Sequence, residues 1–454
     1  MSTRDYFEEI KRFRTLLKKG NKIRFLGVGG VGMYSLFSYY KGLGYAVSGS
    51  DREKSKFVAS LIEGGEEIYI DNGKDSVSDL DLIVYSAAIG KGDPELSLAE
   101  KLKIPTFVRA IALGSLILDY EKSIGVSGTH GKSTTSYMIY SILSAFTKTD
   151  GVIGAPFIDE RPFAFTGGDT LVYEACEYKD SFLYFFPTLS VFLNLELDHT
   201  DYFKTTSDLL RSFSLAMQNA KTIIINGDDP LLKKAAQNVE TRTVTVGASC
   251  DSDYRLISKT ENRGKYAFSV EEGGGRVTKI SLGLIGAHQV TNALCAFAAA
   301  REFGVPADLI KSVLENLPPL SRRLEYLGDY MGRRVYYDYA HHPTEIISGI
   351  RAISESDACP TVIFKPHTYS RTRSLMDGFA AALSKARRAL ILDIDGIREE
   401  NESGVSSEEL IKKIGNTATR VTENDFLSYI GEENEPIIVM GAANMETIKE
   451  KLKG

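Results

Sequence analysis

The chain has 454 residues, of which 43% are hydrophobic and 25% charged, and its net charge is −6 at pH 7. These values are typical of a folded protein with several domains, and they argue against disorder and against a general affinity for nucleic acid or an anionic membrane. Because the sequence has no long apolar run and its N-terminal stretch is charged throughout, we expect a cytoplasmic protein without a membrane span or signal peptide.

The first segment is predicted to bind a diphosphate. A charged amphipathic helix precedes the strand KIRFL, which runs into a glycine loop containing Gly27, Gly29, Gly30 and Gly32. The next strand, YAVSGSD, ends in Asp51, at the distance from the glycines where dinucleotide-binding folds place an acid against a ribose. A glycine loop between a strand and a helix binds phosphates through backbone N–H groups, and NAD is one candidate ligand.

A second glycine loop, GVSGTHGKSTT, begins the next segment. It lies between an apolar strand and SYMIYSILSAF, whose apolar residues recur at helical spacing. The residues expected to surround a nucleotide phosphate are Gly128, Thr129, His130, Gly131, Lys132, Ser133 and Thr134. Lys132 supplies a positive charge, and Ser133 supplies a hydroxyl ligand for magnesium. Two such loops favour two phosphate-bearing ligands, which argues against a simple dehydrogenase.

Acidic residues follow the next two apolar strands, in LVYEACEY and TLSVFLNLELDH. The carboxyl ends of parallel strands face the ligand crevice, so we expect Glu174, Glu177, Asp198 and His199 to point towards the nucleotide. Glu174 is the stronger candidate for a magnesium ligand, because this ion prefers oxygen to imidazole nitrogen.

The rest of the chain predicts antiparallel strands, a helix and a third α/β segment. The antiparallel strands lie in TVTVGASCDSDYRLISK and YAFSV, and the helix begins near His288 and Asn292. Strands at VYYDY, TVIF, ALILDI and PIIVM then each precede a polar or glycine-containing loop. The predicted fold is α/β with three domains: 1–117, Rossmann-like; 118–320, a central phosphate-loop domain; and 321–454, Rossmann-like.

The six histidines all lie in loops or strand ends that these patterns single out: His130, His199, His288, His341, His342 and His367. Imidazole is suited to binding metals and phosphates and to proton transfer near neutral pH. A purely structural role explains any one of these histidines, but it explains all six poorly.

Seven motifs, in this order, resemble the Mur ligases of peptidoglycan synthesis over nearly the whole chain: GTHGKSTT, EACEYKDSF, NLELDH, GAHQVTN, SRRLE, DYAHHPTE and PHTYSRTR. The resemblance is strongest to the branch that joins L-alanine to UDP-N-acetylmuramate with ATP. It implies that the muramoyl carboxylate takes the γ-phosphoryl group of ATP and that the amine of L-alanine attacks the resulting acyl phosphate. It also implies that the first glycine loop and Asp51 bind the UDP-sugar and not NAD.

The resemblance implies roles for individual residues around the nucleotide. Lys132 would hold the β- and γ-phosphates, while Ser133, Glu174 and His199 would surround Mg²⁺. Residues implied to contact ATP from later in the chain are His288, Asn292, Arg323 and Asp338.

The same resemblance places the acceptor chemistry in the third segment. His341 and His342 would stand beside the reacting phosphate, and His367 and Arg371 would lie near the incoming amino acid. The implied partners are therefore ATP, Mg²⁺, UDP-N-acetylmuramate and L-alanine, without nucleic acid or membrane, and we expect a monomer or weak homodimer.

Four departures from the family pattern leave the acceptor open: Gln289, Thr368, GAAN at Gly441–Asn444 and DIDGIREE at 393–400. A paralogue with a different acceptor amino acid or peptide is one alternative. The others are a UDP-sugar-binding paralogue without catalysis and, from a different class, an NAD(P)-dependent oxidoreductase that uses the first glycine loop.

Overall fold

The structure is a computed structural model that describes residues 3–71, 73–90, 92–157, 161–199, 202–396, 399, 401, 404–430, 435–443 and 445–452. Of the four departures, Asn444 lies outside this range, and so do Ile397, Arg398 and Glu400 of DIDGIREE. The chain divides into two compact units, of which the first contains Met1–Leu195, Ser207–Ile225 and Asp229–Val244, and the second Glu196–Thr206, Asn226–Asp228 and Thr245–Gly454. Among the described residues, no helix has the length and apolar character that crossing a membrane requires.

The N-terminal part of the first unit is a parallel sheet with helices. Its strands are β1 (Lys22–Leu26), β2 (Ala46–Asp51), β3 (Ile68–Ile70), β4 (Leu82–Tyr85) and β5 (Thr106–Val108). Its helices are α1 (Thr3–Leu16), α2 (Val31–Gly42), α3 (Lys56–Glu63), α4 (Pro94–Leu102) and α5 (Arg109–Ile117), with a 3₁₀ turn at Lys74–Asp79. The strand order β3-β2-β1-β4-β5 changes direction between β1 and β4. Such a switch point opens a crevice for ligands at the carboxyl ends of the strands.

The central part of the first unit builds its sheet around β6. Its strands are β6 (Lys122–Ser127), β7 (Thr149–Val152), β8 (Phe163–Ala164), β9 (Thr170–Glu174), β10 (Leu189–Phe192) and β11 (Thr222–Asn226), in the order β8-β7-β9-β6-β10-β11. All pairs are parallel except β7–β8. Its helices are α6 (Lys132–Ser144), α7 (Thr206–Gln218) and α8 (Pro230–Ala236), with a 3₁₀ turn at Tyr178–Tyr184. Because β6 lies between β9 and β10, the segments that follow these three strands meet at one edge.

The two parts of the first unit pack together through aromatic side chains and one close backbone contact. The ring of Tyr6 on α1 meets that of Tyr184 edge-on at 4.9 Å, and Tyr39 on α2 packs against Phe165 at 4.7 Å. On α5, a Cβ at Gly114 would lie 2.3 Å from the carbonyl oxygen of Tyr184. Only glycine allows so close an approach.

The longest segment of the second unit starts at Thr245, within β12 (Arg242–Gly247). It contains three antiparallel strands and a second, mostly parallel sheet. The antiparallel strands are β13 (Tyr254–Asn262), β14 (Lys265–Glu272) and β15 (Arg276–Ile285), and they are followed by α9 (His288–Glu302) and α10 (Ala307–Asn316). The second sheet contains β16 (Glu325–Tyr330), β17 (Arg333–Asp338), β18 (Thr361–Phe364), β19 (Arg388–Ile391), β20 (Ala418–Arg420) and β21 (Ile437–Met440).

This second sheet has the order β16-β17-β21-β18-β19-β20 and is parallel except at the β16 edge. Its helices are α11 (Pro343–Ser356), α12 (Tyr369–Ser374), α13 (Met376–Leu383), α14 (Ser407–Ile414) and α15 (Glu446–Leu452), with a 3₁₀ turn at Phe426–Tyr429. A separate apolar cluster covers each face of the sheet, one around Phe364 and one around Ile363. The predicted α/β architecture is therefore present in both units, while the boundaries at 117 and 320 stay a prediction.

Candidate active site

The loop between β6 and α6 has the geometry of an anion site. Gly128 and Gly131 have φ angles of 142° and 82°, which side-chain-bearing residues rarely adopt. A Cβ at Gly128 would lie 3.1 Å from Cβ of Leu193, just beyond β10. The loop runs directly into the N-terminus of α6, where free N–H groups and the helix dipole favour phosphate.

Asn194 holds the middle of this loop. The backbone N–H of His130 donates to Asn194 Oδ1 at 2.8 Å, and Asn194 Nδ2 donates to the carbonyl of His130 at 2.9 Å. The N–H of Thr129 donates to the backbone carbonyl of Asn194 at 3.2 Å. Asn194 is not among the residues that the sequence predicts, although it follows the buried strand β10 at the edge where Glu174 ends β9.

Lys132 lies against the loop with 12% of its side chain exposed. Its Nζ donates to the carbonyl oxygens of Gly128 at 2.6 Å and Thr129 at 3.2 Å, and it lies 3.0 Å from Glu177 Oε2. Burial alone would lower the pKa of Lys132, but the neighbouring negative charges, Glu177 first and then Glu174, together outweigh it and raise this pKa. Lys132 is therefore a fixed positive charge, whereas burial raises the pKa of neighbouring Cys176 to about 11 and keeps that thiol neutral.

Ser133 and Glu174, two predicted magnesium ligands, lie together. Ser133 Oγ donates to Glu174 Oε2 at 2.7 Å, and the N–H of Gly154 donates to the same oxygen at 3.1 Å. A Cβ at Gly154 would lie 2.0 Å from that oxygen, so the carboxylate occupies the space of the missing side chain. Two oxygens this close fit adjacent positions in the octahedral shell of Mg²⁺. Thr134 is buried in the first turn of α6.

The first glycine loop is fixed by the acid that the sequence pairs with it. The structure gathers the five predicted residues at the carboxyl ends of β1 and β2: Gly27, Gly29, Gly30, Gly32 and Asp51. The N–H of Gly29 donates to Asp51 Oδ2 at 2.8 Å, and a Cβ at Gly29 would lie 2.9 Å from that oxygen. Asp51 therefore shapes the loop itself, and its predicted contact with the ligand stays a prediction.

In the second unit, Asp198 joins three of the predicted residues. Its Oδ1 accepts the backbone N–H of His199 at 2.7 Å and lies 3.5 Å from Nε of Arg371. Burial alone would raise the pKa of Asp198, but the positive charge of Arg371, with contributions from His199 and His341, holds this pKa well below its usual range. Asp198 is thus an ionised partner for Arg371. The role of His199 as a magnesium ligand stays a prediction.

The two histidines of DYAHHPTE have different functions in the fold. His341 Nδ1 lies 3.0 Å from the carbonyl of Tyr339 and 3.3 Å from Glu345 Oε2. Both partners are acceptors, so Nδ1 carries the proton and Nε2 keeps a lone pair. Burial lowers the pKa of His341 to about 4, which leaves it neutral at pH 7. His342 Nδ1 accepts the N–H of Thr344 at 3.4 Å and caps α11.

Asp338 and Arg323 lie around the start of the same loop. The Asp338 carboxylate accepts the N–H groups of Leu324 at 2.8 Å and Ala340 at 2.7 Å, and burial raises its pKa to about 6. The Arg323 guanidinium lies 5.4 Å from the ring centroid of Tyr339. Asp338 therefore ties two loops of the second unit together, and the ATP contacts of both residues stay predictions.

Two further predicted pairs are brought together in this unit. At the start of α9, Asn292 Nδ2 donates to Gln289 Oε1 at 3.0 Å, and Gln289 Nε2 lies 3.0 Å from His288 Nε2. Gln289, one of the departures, therefore connects the two residues expected to bind adenosine. After β18, Arg371 Nη1 donates to the carbonyl of His367 at 3.4 Å.

These features together are typical of a protein that uses ATP and binds a second phosphate-bearing ligand. They are a parallel α/β sheet with a lysine-containing phosphate loop, a serine–glutamate pair suited to magnesium, and a second glycine loop. The sequence matches the Mur ligase family, catalytic domain, over residues 22–121 and the Mur ligase middle domain over residues 126–300. It matches the Mur ligase, glutamate ligase domain over residues 322–443.

Similar proteins support the same family. A UDP-N-acetylmuramate–L-alanine ligase of Caldicellulosiruptor bescii is 36% identical over 87% of this chain and 88% of its own. A ligase of the same name from Clostridium novyi is 34% identical over 96% of this chain and 98% of its own. The crystal structure of UDP-N-acetylmuramate-alanine ligase MurC from Thermotoga maritima has a TM-score of 0.81 at 24% identity, covering 95% of this chain and 98% of that one.

The chain belongs to the Mur ligase family, and it is an ATP-dependent ligase. The predictions of the family, the three-domain α/β fold and the class of enzyme are confirmed. The glycine loop at Gly27 belongs to a Mur ligase domain, which leaves the oxidoreductase alternative without support.

Proposed function

We propose that this protein joins L-alanine to UDP-N-acetylmuramate in peptidoglycan precursor synthesis, with ATP converted to ADP and phosphate. The observation that carries the proposal is the match, along nearly the whole chain, to relatives named for this reaction. The phosphate loop with its Lys132 and the Ser133–Glu174 pair supplies the chemistry that the reaction needs.

In the first step, the muramoyl carboxylate oxygen bonds to the γ-phosphorus of ATP, and the bond to the bridging oxygen breaks to release ADP. Charge builds up on the phosphoryl oxygens and on the leaving group in such transfers. The loop and the position of Lys132 are fixed in advance, so they stabilise this charge with little reorganisation beyond the exchange of one acceptor at the lysine. Ser133 and Glu174 would hold Mg²⁺, which would supply further positive charge to the transferring phosphoryl group, and the part of His199 as a further ligand stays a prediction.

In the second step, the amine of L-alanine attacks the acyl carbon, and inorganic phosphate leaves. Arg371 presents a planar set of donors for the α-carboxylate, and Asp198 and the carbonyl of His367 orient the guanidinium. His341 is neutral and keeps a lone pair on Nε2, which makes it the candidate acceptor for the amine proton.

The acceptor is tested by phosphate release from ATP in the presence of UDP-N-acetylmuramate, Mg²⁺ and a panel of acceptors. We expect L-alanine to be the best substrate and glycine to be about 10- to 200-fold slower, since one methyl group separates them. Lys132→Ala is the control, because it should abolish ADP formation and retain UDP-sugar binding by calorimetry. Saturation with the peptide L-alanyl-γ-D-glutamyl-meso-diaminopimelate, without turnover of L-alanine, would identify the paralogue with a different acceptor.

Removal of the metal and measurement of the mass in solution test the rest of the proposal. Chelation of Mg²⁺ should stop phosphate release, and adding Mg²⁺ back should restore it.

We propose a cytoplasmic enzyme that is a monomer or weak homodimer. Sedimentation velocity across a concentration series measures this oligomeric state directly.

A further inference from the structure

The turn formed by residues 177–184, between β9 and β10, is anchored in the central part of the first unit. At its start, Glu177 lies 3.0 Å from Nζ of Lys132 under the phosphate loop. Ser212 Oγ on α7 donates to Asp180 Oδ1, and Asn219 Nδ2 donates to the carbonyl of Leu183 at 2.9 Å. Helix α6, helix α7 and the residue that follows α7 therefore fix this turn.

The same turn also contacts the N-terminal part of the first unit. Lys179 Nζ donates to the carbonyl oxygen of Ala87 at 2.6 Å. Further along, the carbonyl of Tyr184 approaches the site of the missing Cβ of Gly114 to 2.3 Å, and the ring of Tyr184 meets Tyr6. The turn is thus connected to Lys132 at one end and to the N-terminal sheet domain along its length.

The backbone of the turn is strained at the residue that makes the polar contact. Lys179 has φ 52° and ψ 37°, and Asp180 has φ 57° and ψ 24°. Each of these left-handed conformations costs a non-glycine residue energy, and such strain persists where the surrounding contacts require it. This left-handed backbone occurs where Lys179 contacts the carbonyl of Ala87 and Glu177 remains paired with Lys132.

Ala87 lies at the crevice of the N-terminal sheet. It follows β4, and the N–H of the preceding Ser86 donates to the carbonyl of Leu26, at the end of β1, at 3.1 Å. A Cβ at Gly27 would lie 3.2 Å from Cβ of Ser86. The strand order changes direction between β1 and β4, so Lys179 from the central part reaches the switch point where an α/β sheet binds its ligand.

We propose that Lys179 is a positioning residue for UDP-N-acetylmuramate. Its ammonium group holds the carbonyl of Ala87 and so fixes the segment after β4, which lies beside the first glycine loop. Because Glu177 in the same turn holds Lys132, this segment is kept at a set distance from the phosphate loop. The alignment of the two substrates thus depends on one short turn. This inference rests on the proposed function for the identity of the UDP-sugar.

The test compares Lys179→Met, which removes the donor, with Lys179→Arg, which retains a cationic donor of similar reach. Lys221→Met is the matched control, because Lys221 is also exposed in the first unit and its backbone N–H donates to the carbonyl of Pro187 in the central part. Calorimetry measures UDP-N-acetylmuramate and ATP binding separately for each variant, and steady-state phosphate release gives kcat and the two KM values.

We expect Lys179→Met to weaken UDP-N-acetylmuramate binding and to raise the KM for this substrate by about tenfold, because one charge-assisted hydrogen bond is lost. The KM for ATP should be unchanged. Lys179→Arg should recover most of the loss. Equal losses for both ligands, or no loss for the UDP-sugar, would overturn the proposal. If the wild-type protein binds UDP-N-acetylmuramate but does not use L-alanine, the proposed acceptor is wrong, and the binding comparison still tests Lys179.

Discussion

Replacing Asn194 by alanine should weaken ATP binding by a calculable amount. The substitution removes two side-chain hydrogen bonds that hold His130, at 2.8 and 2.9 Å, and keeps the backbone bond from Thr129. Each lost bond is worth about 0.5–1.5 kcal/mol, so ordering the loop around phosphate costs about 1–3 kcal/mol more. That cost corresponds to about a 5- to 150-fold increase in the KM for ATP.

The assay is initial-rate ADP release over a range of ATP concentrations, with the other substrates saturating. Asn194→Asp should be worse than Asn194→Ala, because it places a carboxylate oxygen against the carbonyl of His130 and adds a negative charge beside the phosphates. Asn316→Ala is the control, since Asn316 donates to the carbonyl of Ser312 at an exposed helix end. An unchanged KM for ATP in a folded Asn194→Ala protein would refute the argument that this side chain organises the loop.

Three further predictions concern the metal, the acceptor and pH. Gly154→Ala places a methyl group against Glu174 Oε2, so the Mg²⁺ concentration for half-maximal ADP release should rise by about 10- to 100-fold. Arg371→Lys removes the planar pair of donors and should raise the KM for L-alanine by about tenfold or more, with the KM for ATP nearly unchanged. Because the pKa of His341 is lowered from 6.5 to about 4, the unfolded chain takes up this proton first as pH falls. Between pH 6.5 and pH 4, the free energy of unfolding measured with denaturant should therefore fall by up to about 3 kcal/mol more in the wild-type protein than in His341→Asn. The same dependence on pH in both proteins would contradict this.

The sequence predicts well those parts of the site that lie within a single strand–loop–helix segment. The glycines, Lys132 and Ser133 occur in one continuous motif, and the spacing of apolar residues places a strand before it and a helix after it. Glu174 could be predicted because an acid directly after a buried strand marks the edge of a parallel sheet. In each case, local sequence determines which way the residue faces.

Contacts between segments far apart in the chain were harder to predict. Whether Asn194 reaches His130 depends on β10 pairing with β6, which the sequence does not specify. Asp51 was expected to face a ligand, and only the packing of β2 beside β1 shows that its carboxylate accepts the N–H of Gly29. Similarly, the pairing of Asp198 with Arg371 depends on where α12 lies relative to a segment far earlier in the chain.

The hydrogen bonds of Lys132 have a consequence for the thermodynamics of nucleotide binding. Its ammonium group has three N–H donors, and it contacts two carbonyl oxygens, of Gly128 and Thr129, and the carboxylate of Glu177. A phosphate oxygen that takes one of these donors replaces an existing partner, so binding at this lysine is an exchange of acceptors with a small net enthalpy. In the proposed reaction, the affinity for ATP would then come mainly from the loop N–H groups and Mg²⁺, and Lys132 would stabilise the growing charge of the transferring phosphoryl group.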